Sequence, residues 1–133
     1  MTQLGYTLSS EEFGPDRLVA LAERAEQVGF DFAAIPDHYH PWVDKQGQSP
    51  FVWTVLGGIA HATDRIGIAT GVTRPTVRLH PAMVAQAAAT TAATAPEAAG
   101  DTAPAVEPGI EALHGHGDGI AEAGLGLRDK RRA

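Results

Sequence analysis

Hydrophobic and polar positions along the first 94 residues switch repeatedly between a period of two and a period near 3.6. Gln3 to Leu8 alternates polar and apolar residues, which predicts a strand. Ser9-x-x-Glu12 has the form of a capping box, and Pro15 suits the first turn of a helix, where its missing N–H is no loss. Leu18, Leu21, Ala22, Ala25 and Val28 then recur at helical spacing, and Gly29 is a stop signal, so a helix is predicted over Pro15–Val28. Asp31 to Ile35 is a short apolar run ended by Pro36 and reads as a buried strand. After the polar loop DHYHPWVDKQGQSP, a second helix is predicted from Phe51 to Ala62 on Val52, Val55, Leu56, Ile59 and Ala60. Gly57-Gly58 weakens it, since each glycine costs about 1 kcal/mol against alanine there. Arg65 to Thr70 is a third strand ending at Gly71, and Pro81 opens an Ala-rich third helix that runs to about Ala93.

The order β-α-β-α-β-α with short apolar strands implies a parallel sheet joined by right-handed crossovers. A Rossmann-type sheet and a TIM barrel both fit. The first strand is followed by Leu8-Ser9-Ser10-Glu11, so the G-x-G-x-x-G fingerprint of dinucleotide binding is absent, and no Walker A sequence occurs. The polar and aromatic residues gather after the second and third strands, where a TIM barrel carries its catalytic loops.

Composition divides the chain. All eight aromatic residues precede residue 54, whereas 95–133 is rich in Ala, Gly and Pro and poor in Val, Ile and Leu. Such a segment buries little apolar surface and is expected to remain mobile, so 1–94 is the working part of the chain. A net charge of −6 argues against a nucleic-acid partner, and no apolar run approaches the ~18 residues of a membrane span. The absence of cysteine removes disulfides, thiolate metal sites and a thiol nucleophile. The acidic start MTQLGYTLSSEE lacks the pattern of a secretory signal, and a cytoplasmic location is expected.

The densest candidate chemistry is Asp37-His38-Tyr39-His40-Pro41-Trp42, just past a strand end. A histidine exchanges protons near neutral pH, a neighbouring carboxylate orients it, and Trp42 offers a flat apolar wall. The plainer alternative is a loop whose side chains only pack and solvate. His38 and His40 at i, i+2 have no third partner at metal-ligand spacing, so no metal site is expected. After the third strand, Gly71 permits close approach of a ligand to the backbone, and Arg74 and Arg78 suit an anionic substituent, unless the loop is simply solvated. His114, His116 and Asp118 lie in a Gly-rich stretch that nothing pre-organises, and the basic end Arg128–Arg132 is too short to argue for nucleic acid.

The start LGYTLSSEEFGPDRLVALAERAEQVGFD resembles the first βα unit of luciferase-like oxidoreductases. D-H-x-x-P-W at Asp37–Trp42 and G-V-x-x-P-T-x-R-x-x-P-A-x-x-A-Q at Gly71–Gln86 are similar to the branch that uses the deazaflavin coenzyme F-420, in particular its glucose-6-phosphate dehydrogenase-like subgroup. The likeness runs from Leu4 to about Ala93. It implies a TIM barrel with the coenzyme at its C-terminal face and hydride transfer from an alcohol-type substrate. His38 would be the active-site base and Trp42 the wall beside the transferred hydride. Asp37 would hydrogen-bond the ring system, Gly71-Val72 would form a cis peptide behind it, and Arg74 would contribute to the cofactor site, although a smaller residue is common there.

Members of the family form a whole barrel of ~250 residues, and three βα units are visible here. The family's Pro-Gly-Arg turn, apolar fourth strand and Gly-Thr-Gly-Glu strand end are replaced by TAPEAAGDTAPAVEP. A frameshifted or foreign end after Thr94 is therefore the expectation, with an isolated chain that folds poorly and turns over no substrate. The alternatives are an FMN-dependent monooxygenase of the same superfamily and a non-catalytic half-barrel that self-associates as a homodimer.

Overall fold

The computed structural model describes residues 2–75, 78–95 and 106–109. Four strands, β1 (Gly5–Thr7), β2 (Phe32–Ile35), β3 (Gly67–Gly71) and β4 (Val106–Gly109), form one parallel sheet in the order β1-β2-β3-β4. Three helices, α1 (Pro15–Val28), α2 (Val52–Ala62) and α3 (Pro81–Thr94), join them. This is the α/β succession that the periodicity predicts. The helices pack on one face of the sheet, where Leu18, Ala22, Ile35, Leu56, Ile59, Ile68 and Val84 share a core.

Side-chain alternation in the strands sets the two faces. Ala33, Ile35, Ile68 and Thr70 are buried beneath the helices. Phe32, Ala34, Gly67 and Ala69, on the other face, are only half-buried. Gly5, Phe32 and Gly67 are in register across three strands. A Cβ on Gly5 would lie 2.2 Å from Phe32 Cε2, so the Phe32 ring rests directly on the backbone of β1.

Local signals explain most boundaries. Gly29 ends α1 in the left-handed region at φ 93°, and its N–H reaches the carbonyls of Ala25 and Glu26. The Gly57-Gly58 pair stays helical, and a Cβ on Gly58 would come within 3.1 Å of Val19 Cγ2, so the missing side chain admits the close crossing of α1 and α2. Glu26 reaches the start of β3, where its Oε1 accepts the backbone N–H groups of Asp64 (3.1 Å), Arg65 (2.5 Å) and Ile66 (2.8 Å).

α1 begins at Pro15, as expected, and Ser9-x-x-Glu12 does not cap it. The Ser9 carbonyl closes a separate backbone turn onto Glu12 and Phe13, and Gly14 caps the helix without a side-chain bond. Within 95–133, where no strand is expected, Val106–Gly109 pairs with β3, with Thr70 opposite Pro108. The open edge of β3 offers main-chain donors and acceptors to a neighbour of almost any composition, which outweighs the poor strand propensity of Val-Glu-Pro-Gly. The rest of 96–133 lies outside the described residues, including His114, His116, Asp118 and the basic end. No helix among the described residues is long and apolar enough to cross a membrane.

Candidate active site

Parallel strands all point the same way, so the loops after β1, β2 and β3 meet along one edge of the sheet. The chain stitches the first two together. Ser10 Oγ donates to the Pro36 carbonyl at 2.9 Å, the Gln48 N–H donates to the Glu11 carbonyl at 3.1 Å, and Ser49 Oγ donates to the His38 carbonyl at 2.8 Å.

Within this frame Glu11, which is buried, pairs through Oε1 with His38 Nδ1. A carboxylate only accepts, so Nδ1 is the donor in this pair and Nε2 is left outside it. The His38 side chain keeps 36% of its surface accessible, against 11% for Glu11, so the pair is anchored on the protein side and open on the other. The Trp42 ring stands 6.1 Å from the His38 ring, centroid to centroid, and the residue is 77% exposed. Tyr39 is 80% exposed with its ring 6.5 Å from that of His40, whose Nδ1 faces the Pro41 carbonyl at 3.0 Å.

Asp37 faces the interior. Thr73 Oγ1 donates to its Oδ2 at 2.9 Å, and Arg78 Nη2 pairs with its Oδ1. Burial pulls the Arg78 guanidinium below its ordinary pKa. At the end of β3 the Gly71–Val72 peptide bond is cis, the form that the resemblance implies. Gly71 and Arg74 are exposed, and a Cβ on Gly71 would meet nothing within 4 Å.

Asp37, His38 and Trp42 thus stand on the loop after β2, Gly71 ends β3, and Val72 and Arg74 stand on the loop after it. Sequence reasoning missed Glu11, because no local pattern ties it to a histidine 27 residues away. Arg78, for which the sequence leaves an anionic substituent and a simply solvated loop both open, is engaged by Asp37. Thr76 and Val77 of the same loop lie outside the described residues. A groove of about 350 Å³ lies between α2 and α3, lined by Trp53, Leu79 and Met83 among others, and none of the strand-end residues lines it.

The family model for luciferase-like monooxygenases matches residues 1–96. The chain belongs to this luciferase-like family. Among its relatives, the F420-dependent hydroxymycolic acid dehydrogenase of Mycobacterium tuberculosis is 48% identical over 89 residues, covering 67% of this chain and 25% of that protein. The F420-dependent glucose-6-phosphate dehydrogenase of Beutenbergia cavernae is 40% identical over 127 residues, covering 96% of this chain and 34% of that one. The latter alignment extends past Thr94. Among solved structures, an F420-dependent secondary alcohol dehydrogenase in complex with an F420-acetone adduct superposes with a TM-score of 0.64 at 43% identity, over 67% of this chain and 27% of the other. The luciferase-like chain therefore spans a quarter to a third of the length of these curated relatives.

Proposed function

We propose that this chain carries part of the active site of a dehydrogenase that uses coenzyme F-420, with an alcohol as hydride donor and a sugar phosphate as one candidate substrate. The observation that carries the reading is the Glu11–His38 pair beside Trp42, at the strand ends next to Gly71–Val72. The residues suit a flat heteroaromatic ring. Space is open in front of Gly71, the Trp42 face is uncovered, and backbone groups lie at the exposed strand end. Gly71, Val72 and Trp42 would hold the deazaflavin, which supplies a hydride-accepting carbon when bound.

In the neutral tautomer with its proton on Nδ1, toward Glu11, His38 would take the hydroxyl proton of the substrate on Nε2 as hydride leaves the carbon that bears the hydroxyl. Glu11 would then stabilise the imidazolium that forms, as an orienting carboxylate that does not itself take the proton. Trp42 would exclude water from one side of the reacting carbon, and Arg74, exposed after β3, would meet an anionic substituent.

Titration of the full chain with F-420, followed by quenching of deazaflavin fluorescence, tests the reading. Saturable binding is expected, with W42A weakening it by roughly tenfold, as for loss of an aromatic contact worth ~1–1.5 kcal/mol. Absence of saturable binding would overturn the reading, and preference for FMN would move the chain to the flavin-dependent branch.

A further inference from the structure

Glu11 and His38 come from different loops, and neither lies in a strand or a helix. A hydrogen bond weakens steeply as its geometry opens, so the pair depends on what holds the two main chains at a fixed separation. Two adjacent residues do this. The Gln48 N–H donates to the Glu11 carbonyl at 3.1 Å, and Ser49 Oγ donates to the His38 carbonyl at 2.8 Å. The β2–α2 loop thus doubles back, and its end bonds to both partners of the pair. That end is itself anchored. Pro50 restricts the backbone beside Ser49, and Val52 and Trp53, which open α2, are buried. The stretch between, Trp42 to Lys45, is exposed. The two bonds differ in kind. Gln48 acts through its backbone, so its side chain is immaterial to the bond. Ser49 acts through its side chain, which makes the residue type matter.

We infer that Ser49 is a positioning residue for His38. It holds the His38 carbonyl to the same loop end whose neighbouring N–H holds Glu11, and so keeps the imidazole within reach of the Glu11 carboxylate. Through that contact it favours the tautomer with the proton on Nδ1. The chemical consequence, an Nε2 free to take a hydroxyl proton from the substrate, rests on the functional reading given above.

Long-range proton–nitrogen correlation on the full chain, with its histidines labelled in nitrogen, reads the His38 tautomer at alkaline pH, and H38N identifies the signals. In wild type the Nδ1–H form is expected in excess. S49A should lower the ratio of Nδ1–H to Nε2–H form about fivefold, as for loss of one hydrogen bond. S49T keeps a hydroxyl and should recover most of the ratio. In an E11A background S49A should have no further effect, because no carboxylate is left to select a tautomer. A role confined to packing has another signature: S49A shifts the urea midpoint, the tautomer ratio stays at its wild-type value, and S49T is no better than S49A. That result overturns the inference. Should S49A fail to fold, S49C keeps the volume and weakens the donor. A smaller fall in the ratio is then expected, and an unchanged ratio refutes the role.

Titration with F-420 separates this inference from the reading it rests on. A wild type that shows the Nδ1–H excess and responds to S49A but binds no F-420 leaves the Ser49 role standing and sinks the coenzyme reading. A proton found mainly on Nε2 in wild type overturns both. An S49A variant with an unchanged tautomer ratio and weaker F-420 binding places Ser49 in the coenzyme site instead, and also overturns the inference.

Discussion

At the scale of single residues, the proposed reaction depends on one tautomer. His38 would act as a base through Nε2, and the Glu11 carboxylate, by accepting from Nδ1, selects the neutral tautomer that leaves Nε2 free. Truncating the imidazole should therefore affect chemistry and leave binding alone. In any protein that carries this site intact, H38N is expected to slow hydride transfer by ~10²–10⁴-fold while F-420 affinity stays near wild type. Single-turnover loss of deazaflavin absorbance, set beside the fluorescence titration, checks this. A parallel fall in affinity would place His38 in coenzyme binding instead.

At the scale of elements, the opposite edge of the sheet is built for stability. Glu26, in the last turn of α1, satisfies three consecutive backbone N–H groups that lead into β3. Without its carboxylate, these donors lose their partner at the point where β3 enters the sheet. E26A is expected to lower unfolding free energy by ~1–3 kcal/mol, read as a shift of the urea midpoint at constant slope. Gly29 makes a second case. Alanine there must adopt φ 93°, so G29A should be destabilising by about 1 kcal/mol, although a Cβ would meet no neighbour within 4 Å. A loss of similar size in G57A, which lies in the helix interior with the same free space, would show that backbone conformation is not the cause.

At the scale of the whole molecule, the helices cover one face of the sheet, and Phe32, Ala34, Gly67 and Ala69 line the other, only half-buried. Among the described residues, β1 and β4 are the outer strands. An apolar face beside unpaired edges favours association, so sedimentation of the purified chain should show species that grow with concentration. Monomeric behaviour across a wide range would contradict this. The Phe32 ring is central to that face: G5A would push it off β1, and a loss of ~1–3 kcal/mol is expected in thermal or urea unfolding.

The succession of three βα units, the helix limits near Pro15, Val28 and Pro81, and the edge of the sheet at which polar residues gather all follow from local pattern along the chain. Periodicity and turn residues report on neighbours a few positions apart, and these features depend on nothing more. The D-H-x-x-P-W and G-V-x-x-P-T motifs also identified the family on residues alone. Tertiary structure decided what lies across the chain. It paired Glu11 with His38 across 27 residues, gave Asp37 to Thr73 and Arg78 across 36 and 41, and set Val106–Gly109 against β3 despite its weak strand propensity. These choices rest on which charges are buried together and which strand edge is left open. Both are properties of packed surfaces, and no local pattern along the chain encodes them.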